Sequence, residues 1–175
     1  MREIWNKVVE SKVTERGERF PPNTIGEASV IQFIEKESTE HGAMVVVEFM
    51  IDKSVAKEKD GKAGMPGMRV GLPFMIDKQK AHRGALKALV LTLLGVAEAD
   101  VSGEDLGEAL GAACSKDQPL RGLRVTTDTF PYTSKGQNGA PGRTSFITRF
   151  GPIPGQDADT RLAVCKVLDE KFPLT

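Results

Sequence analysis

The residues that could do covalent or metal chemistry are few and poorly spaced for it. His41 and His82 are the two histidines, and Cys114 and Cys165 the two cysteines. None stands in an H-x-x-x-H or C-x-x-C pattern, and no carboxylate pair brackets either histidine, so the spacing that gathers metal ligands is missing. "GKAGMPG", residues 61–67, has glycines and a lysine but neither the spacing of a phosphate-cradling loop nor a helix directly behind it. Ser134 and Ser145 lack the glycine context of a nucleophile elbow. The expectation is a chain that is not an enzyme, with no catalytic residue, no metal and no cofactor. His41 and His82 are expected as solvated surface side chains, and the two cysteines as small buried hydrophobes.

Binding a single nucleic-acid strand needs no reactive group. It needs cations for the phosphates and flat side chains for the bases, each stacked base contributing about 1–3 kcal/mol. In "LRVTTDTFPY" alternation turns Leu123 and Val125 inward and Arg124, Thr126, Asp128 and Phe130 outward, with Tyr132, the only tyrosine, following. The next loop, "TSKGQNGAPG", is glycine-rich and brings Lys135 and then Arg143 without an acid. Arg149 in "TSFITRF" and Arg69 in "MRVGLPFMI" add two outward cations. The candidate nucleic-acid-binding set is therefore Arg69, Arg124, Phe130, Tyr132, Lys135, Arg143 and Arg149. Phe130 has an equally good alternative as a cap on the core. Whether Phe146 and Phe150 or Ile147 and Arg149 face the core is open.

These residues need strands to hold them. "EASVIQFIEKE" and "AMVVVEFMID" are rich in β-branched and aromatic residues and flank the polar connector "STEHG", which predicts a hairpin. Val45, Val47, Phe49 and Ile51 form its better core face. "KSVAKEKDGKAGMPG" is charged and glycine-rich and predicts a loop. A third strand, "MRVGLPFMI", puts Val70, Leu72, Phe74 and Ile76 on one face, and Pro73 marks it as an edge or bulge. F-M-I-D-K ends both this strand and the second, at residues 49–53 and 74–78. With only two copies and dissimilar sequels, it indicates two strand ends rather than a repeat architecture. The period then switches to 3.6: Ala85, Leu86, Leu89, Val90, Leu93 and Leu94 share a helical stripe, with Asp77 expected as N-cap and Gly95 as stop. A second helix starts near Ser102 with Leu106, Ala109, Leu110 and Ala113 in phase. Two more strands and an amphipathic C-terminal helix with Leu162, Cys165, Leu168 and Phe172 complete the order.

The expected fold class is mainly β with helices (α+β): a five-stranded OB-like barrel with a helical insertion between strands 3 and 4 and a C-terminal helix. The expected organisation is an N-terminal arm over residues 1–25, an OB-like nucleic-acid-binding domain over 26–153 and a C-terminal helix over 154–175 packed on or beside it. Apolar residues at 39% and charged residues at 27% fit one soluble domain. No stretch approaches a membrane span, and the charged start is not a secretory signal, so a cytoplasmic protein is expected. A net charge of zero excludes a chain that is basic throughout. It conceals segregation, since residues 66–92 and 119–153 each carry five bases against one acid, and residues 97–118 carry six acids against Lys116.

"MRVGLPFMID" leading into a helix ending "LLGV", then "DQPLRGLRVTTDTF", a glycine-rich loop and "TSFITRFGPI" cover residues 68–153. Their order resembles phage-type single-stranded DNA-binding proteins with a helix-elaborated OB-fold. The resemblance implies non-catalytic, sequence-tolerant binding of single-stranded DNA in replication, repair or recombination, in the host cytoplasm if phage-encoded. The leading expectation adds a homo-oligomer formed through the arm or the C-terminal helix, and replication or recombination proteins as partners. The alternative expectation is a virion-type structural β-barrel that self-associates; a nucleic-acid enzyme or an inhibitor of one is the third.

Overall fold

Period-2 alternation shapes the first half of the chain, as described by a computed structural model covering residues 19–153. The C-terminal helix expected over 154–175 and most of the expected N-terminal arm lie outside the described residues. Strands β1 (Thr24–Ser38) and β2 (Gly42–Ala56) form a long antiparallel hairpin, and β3 (Arg69–Met75) pairs with the far side of β2. The hairpin turns at Ser38, whose Oγ accepts the Glu40 and His41 N–H groups at 3.2 and 3.3 Å. Gly42 follows with φ 70°, where a Cβ would lie 2.4 Å from Asp77 Oδ2; only glycine meets both demands.

Helix α1 (Lys80–Leu94) buries Leu86, Leu89, Val90 and Leu93, much as its stripe predicts, and Gly95 ends it at φ 69°. Asp77 does not cap it. The N-cap is Gln79, with no side-chain cap bond, and Asp77 Oδ2 instead accepts the Ala43 N–H at 2.8 Å, locking the hairpin end to the segment before the helix. A 3-10 turn (Glu98–Asp100) leads to α2 (Gly103–Ala113), which buries Leu106, Ala112 and Ala113. Strands β4 (Arg124–Thr133) and β5 (Thr144–Gly151) form the second hairpin, with β4 pairing along the first part of β1.

Among the described residues the result is an α+β fold with five antiparallel strands in the order β3-β2-β1-β4-β5 and two α-helices on one face. The expected OB-like barrel is not formed, because the sheet does not close: among the described residues β3 and β5 are its two ends and share no ladder. Closure requires an unbroken ladder with a consistent stagger. The first turns of α1 instead lie with Leu72, Phe74, Phe146 and Thr148 around a cleft of about 400 Å³ between the two ends. The resemblance to OB-fold single-stranded DNA-binding proteins rested on that barrel and is withdrawn with it.

The core sits between the sheet and the helices. Phe33, Val47, Phe49, Ile51, Val70, Leu120, Leu123 and Val125 are each at most 2% exposed. The open question on β5 is settled by register. Phe150 opposes Thr127 and Phe146 opposes Pro131, both on the core-facing side, whereas Ile147 opposes Phe130 and Arg149 opposes Asp128 on the outer side. Phe150 stacks on Phe49 of β2 at 5.2 Å and 15°, with Phe20 edge-on at 6.0 Å, so β2 and β5, which share no ladder, meet through aromatic rings on the core face. Phe20, within the segment read as an arm, is only 6% exposed, and Thr24 and Ile25 already belong to β1.

The two F-M-I-D-K copies bury Phe49, Ile51 and Phe74 alike, but their surroundings differ. The second strand does not end at Asp52. It continues to Ala56, and Asp52 is the extra residue of a bulge between Ile51, opposite Ala28, and Lys53, opposite Glu27. No helix among the described residues is long and apolar enough to cross a membrane.

Candidate nucleic-acid interface

Along β4 every second residue leaves the core. Val125, Thr127 and Thr129 are buried, which turns Arg124, Thr126, Asp128 and Phe130 to the sheet face opposite the helices; Tyr132 has the same parity but, near the strand's end, also lines the cleft beside the first turns of α1. Cross-strand pairs extend that face to Arg149, Ile147 and Ser145 on β5 and to Ile25 and Glu27 on β1. Beyond β1 it reaches Lys53 and Val55 on β2.

The aromatic and basic candidates meet at the β4–β5 hairpin. The Arg149 guanidinium lies 4.6 Å from the Phe130 ring centroid, in cation–π range. Lys57, just past β2, brings its ammonium to 5.9 Å from the same ring and forms an ion pair with Asp128. Tyr132 stands two residues on and is 50% exposed. Phe130 is thus on the outer face, partly covered by cations rather than capping the core. Lys135 and Arg143 are exposed on the loop of this hairpin. Its ends are drawn together by the Arg143 carbonyl, which accepts from Ser134 N–H at 3.1 Å and Oγ at 3.3 Å. A Cβ at Gly142 would stand 1.5 Å from the Ser134 oxygen, so the loop is a wound turn rather than a free arm.

The other two cations are placed differently. Arg124 is held by acids: Nη2 donates to Glu27 at 2.7 Å and Nε to Asp52 at 3.4 Å, while Ser29 Oγ donates to the same Asp52 oxygen at 2.5 Å. Arg69 lies in one cross-strand row with Met50, Ser29 and Arg124, three strand spacings or about 14 Å from Arg124 and on the opposite sheet end from Arg149.

Three outer-face residues were missed by the sequence reading, Ile25, Val55 and Lys57. Strict alternation from Ile51 would send Lys53 and Val55 to the core, but the bulge at Asp52 inverts the parity. Ile25 and Val55 therefore sit opposite each other, about half exposed. They border a shallow depression of about 400 Å³ that reaches Asp128 and Lys53.

The remaining titratable groups sit elsewhere. His82 is not a solvated surface histidine. It is half-buried, its Nδ1 accepts the Met75 N–H at 3.0 Å, and its ring lies edge-on to Phe74; desolvation holds its pKa below the ordinary value. Cys114 is half-buried at an apolar groove between the sheet and the helices, and burial, then the Glu35 charge, push its thiol up. Among the described residues no group of three or more His, Cys, Asp or Glu side chains is arranged to hold a metal ion. No protein-family model matches the chain, and no curated protein matches it by sequence.

Proposed function

We propose that the chain binds single-stranded DNA without sequence preference, in a replication, repair or recombination setting, using the outer face of the β4–β5 hairpin. The observation that carries this reading is the stack of Arg149 on Phe130, beside exposed Tyr132 and within reach of Lys57. Flat and cationic groups alternate there on an open surface, the combination that a strand with bases on one side and phosphates on the other requires. A base stacks on Tyr132 or on the guanidinium plane that already covers Phe130. Lys135 and Arg143 extend the positive character beyond the hairpin, whereas Arg124 contributes little free charge because two carboxylates hold it. No fold-level analogy supports the reading; it rests on the surface alone.

The test is fluorescence anisotropy with labelled oligo-dT at several salt concentrations. Affinity should fall steeply with salt and exceed that for duplex of equal length. Absence of binding at low salt ends the proposal.

A second reading, self-association in an assembly, is favoured by β5 itself. It is a sheet end with no strand beyond it among the described residues, and it exposes Phe146 and Ile147 on its two faces. Such an edge is a template for pairing with another chain. Sedimentation across a hundredfold range of concentration distinguishes the readings, since assembly predicts a mass that rises with concentration without DNA.

A further inference from the structure

One of the two cations beside Phe130, Lys57, is already paired, and Asp128 is the carboxylate that holds it. Its side chain is 52% exposed, it forms the ion pair with Lys57, and it stands directly across the ladder from Arg149. Asp128 therefore lies between the two cations that approach Phe130, on the strand that carries both Phe130 and Tyr132.

We infer that Asp128 is a built-in competitor for phosphate, a group that lowers the affinity of this face for a single strand and keeps that binding reversible. The inference rests on the reading proposed above. A strand whose base stacks at Phe130 or Tyr132 brings a phosphate next to Lys57 and Arg149, and like charges at that range repel. The phosphate takes over Lys57 from Asp128 while the carboxylate stays beside it. Lys57 thus exchanges one anion for another, and the gain from each phosphate contact is smaller than at an unpaired lysine. The geometry gives Asp128 a second effect in the free protein, since its ion pair holds Lys57 close to the aromatic ring. Removing the charge leaves the ring, Arg149 and Tyr132 in place and frees Lys57.

Asp128→Asn should tighten oligo-dT binding about two- to fivefold at moderate salt, the range expected for relief of one exposed charge pair. The slope of log affinity against log salt should steepen by up to about one phosphate contact. Glu98→Gln is the matched control. It changes net charge equally but removes the partner of Lys87 beyond α1, an ion pair that shares no residue with the outer face. Lys57→Ala in both backgrounds closes the cycle, and the gain from Asp128→Asn should shrink without Lys57. If the unmodified chain binds but Asp128→Asn gains no more than Glu98→Gln, the inference is overturned while the binding proposal stands. If the unmodified chain binds no oligo-dT at low salt, both fall together.

Discussion

Gln118 offers the sharpest test of how the second hairpin is held to the first. The β1–β4 ladder ends at the Ser29 and Arg124 pair, two residues before the extra residue Ile31 of a bulge that β1 makes against β2. The segment before β4 continues the pairing with single bonds. Val30 N–H donates to the Leu123 carbonyl at 2.9 Å, Gly122 N–H to the Val30 carbonyl at 2.8 Å, and Arg121 Nε to the Ile31 carbonyl at 2.9 Å. Gln118 completes the set with its side chain. Its Oε1 accepts the Phe33 N–H at 2.8 Å, and its Nε2 donates to the carbonyls of Phe33 at 2.8 Å and Ser115 at 3.0 Å. Gln118→Ala leaves both backbone groups of a residue that is 1% exposed without these partners. Each unsatisfied buried group costs about 1–3 kcal/mol, and water entering the half-buried space moves the total to the lower part, about 2–4 kcal/mol. Urea unfolding reads this directly, with m unchanged. Gln118 also has φ 45°, so Gln118→Gly loses the same bonds but relieves the left-handed strain and should be about 1 kcal/mol more stable than the alanine variant. Amide exchange at Phe33 should accelerate in both. A loss under about 0.5 kcal/mol in Gln118→Ala would falsify the argument that this side chain stands in for a strand.

Three further outcomes follow from the same geometry. Tyr132→Ala should weaken oligo-dT binding by about 1–3 kcal/mol with thermal stability unchanged; lower stability with unchanged affinity would mark the ring as a packing residue. Because the His82 pKa is lowered in the fold, its contribution is fully present above the unfolded value near 6.5 and is lost as pH falls through the folded one. Stability between pH 7.5 and 5 should consequently decline less in His82→Ala than in the parent, and equal slopes in chemical denaturation exclude the role. Phe150→Ala breaks the stack on Phe49 and should cost about 2–3 kcal/mol in unfolding free energy, below the range for a fully buried ring because Phe150 is half-buried. Phe146→Ala, on the same face but 49% exposed, should cost under about 1 kcal/mol. Equal losses would show that the contact between the hairpins is not made at Phe150.

Much of the local structure was legible because it depends on neighbours in the chain. Alternation in "VVVEFMI" and "LRV" buried Val47, Phe49, Ile51, Leu123 and Val125, and the leucine stripe of residues 86–93 buried its own side chains. The glycine at the end of that helix was equally readable, since a left-handed φ selects it. Asp77 and His82 were misplaced because their partners come from elsewhere. Asp77 meets Ala43 across 34 residues of chain, and His82 reaches back over a turn to Met75.

The chain by itself determined the middles of the strands and helices and the apolar faces of β2, β4 and α1, because periods of 2 and 3.6 are written in adjacent residues. Tertiary structure decided the rest. Whether the two sheet ends meet depends on what lies between them, and here the start of α1 borders the cleft that separates β3 from β5. Which side chains share the outer face depends on the bulge at Asp52, a parity change made by pairing with β1 and invisible in β2 alone. Arg124 and Arg149 look alike in sequence, yet one is held by Glu27 and Asp52 and the other lies on an aromatic ring. Their difference is one of register, which brings residues distant in the chain to within one hydrogen bond of each other.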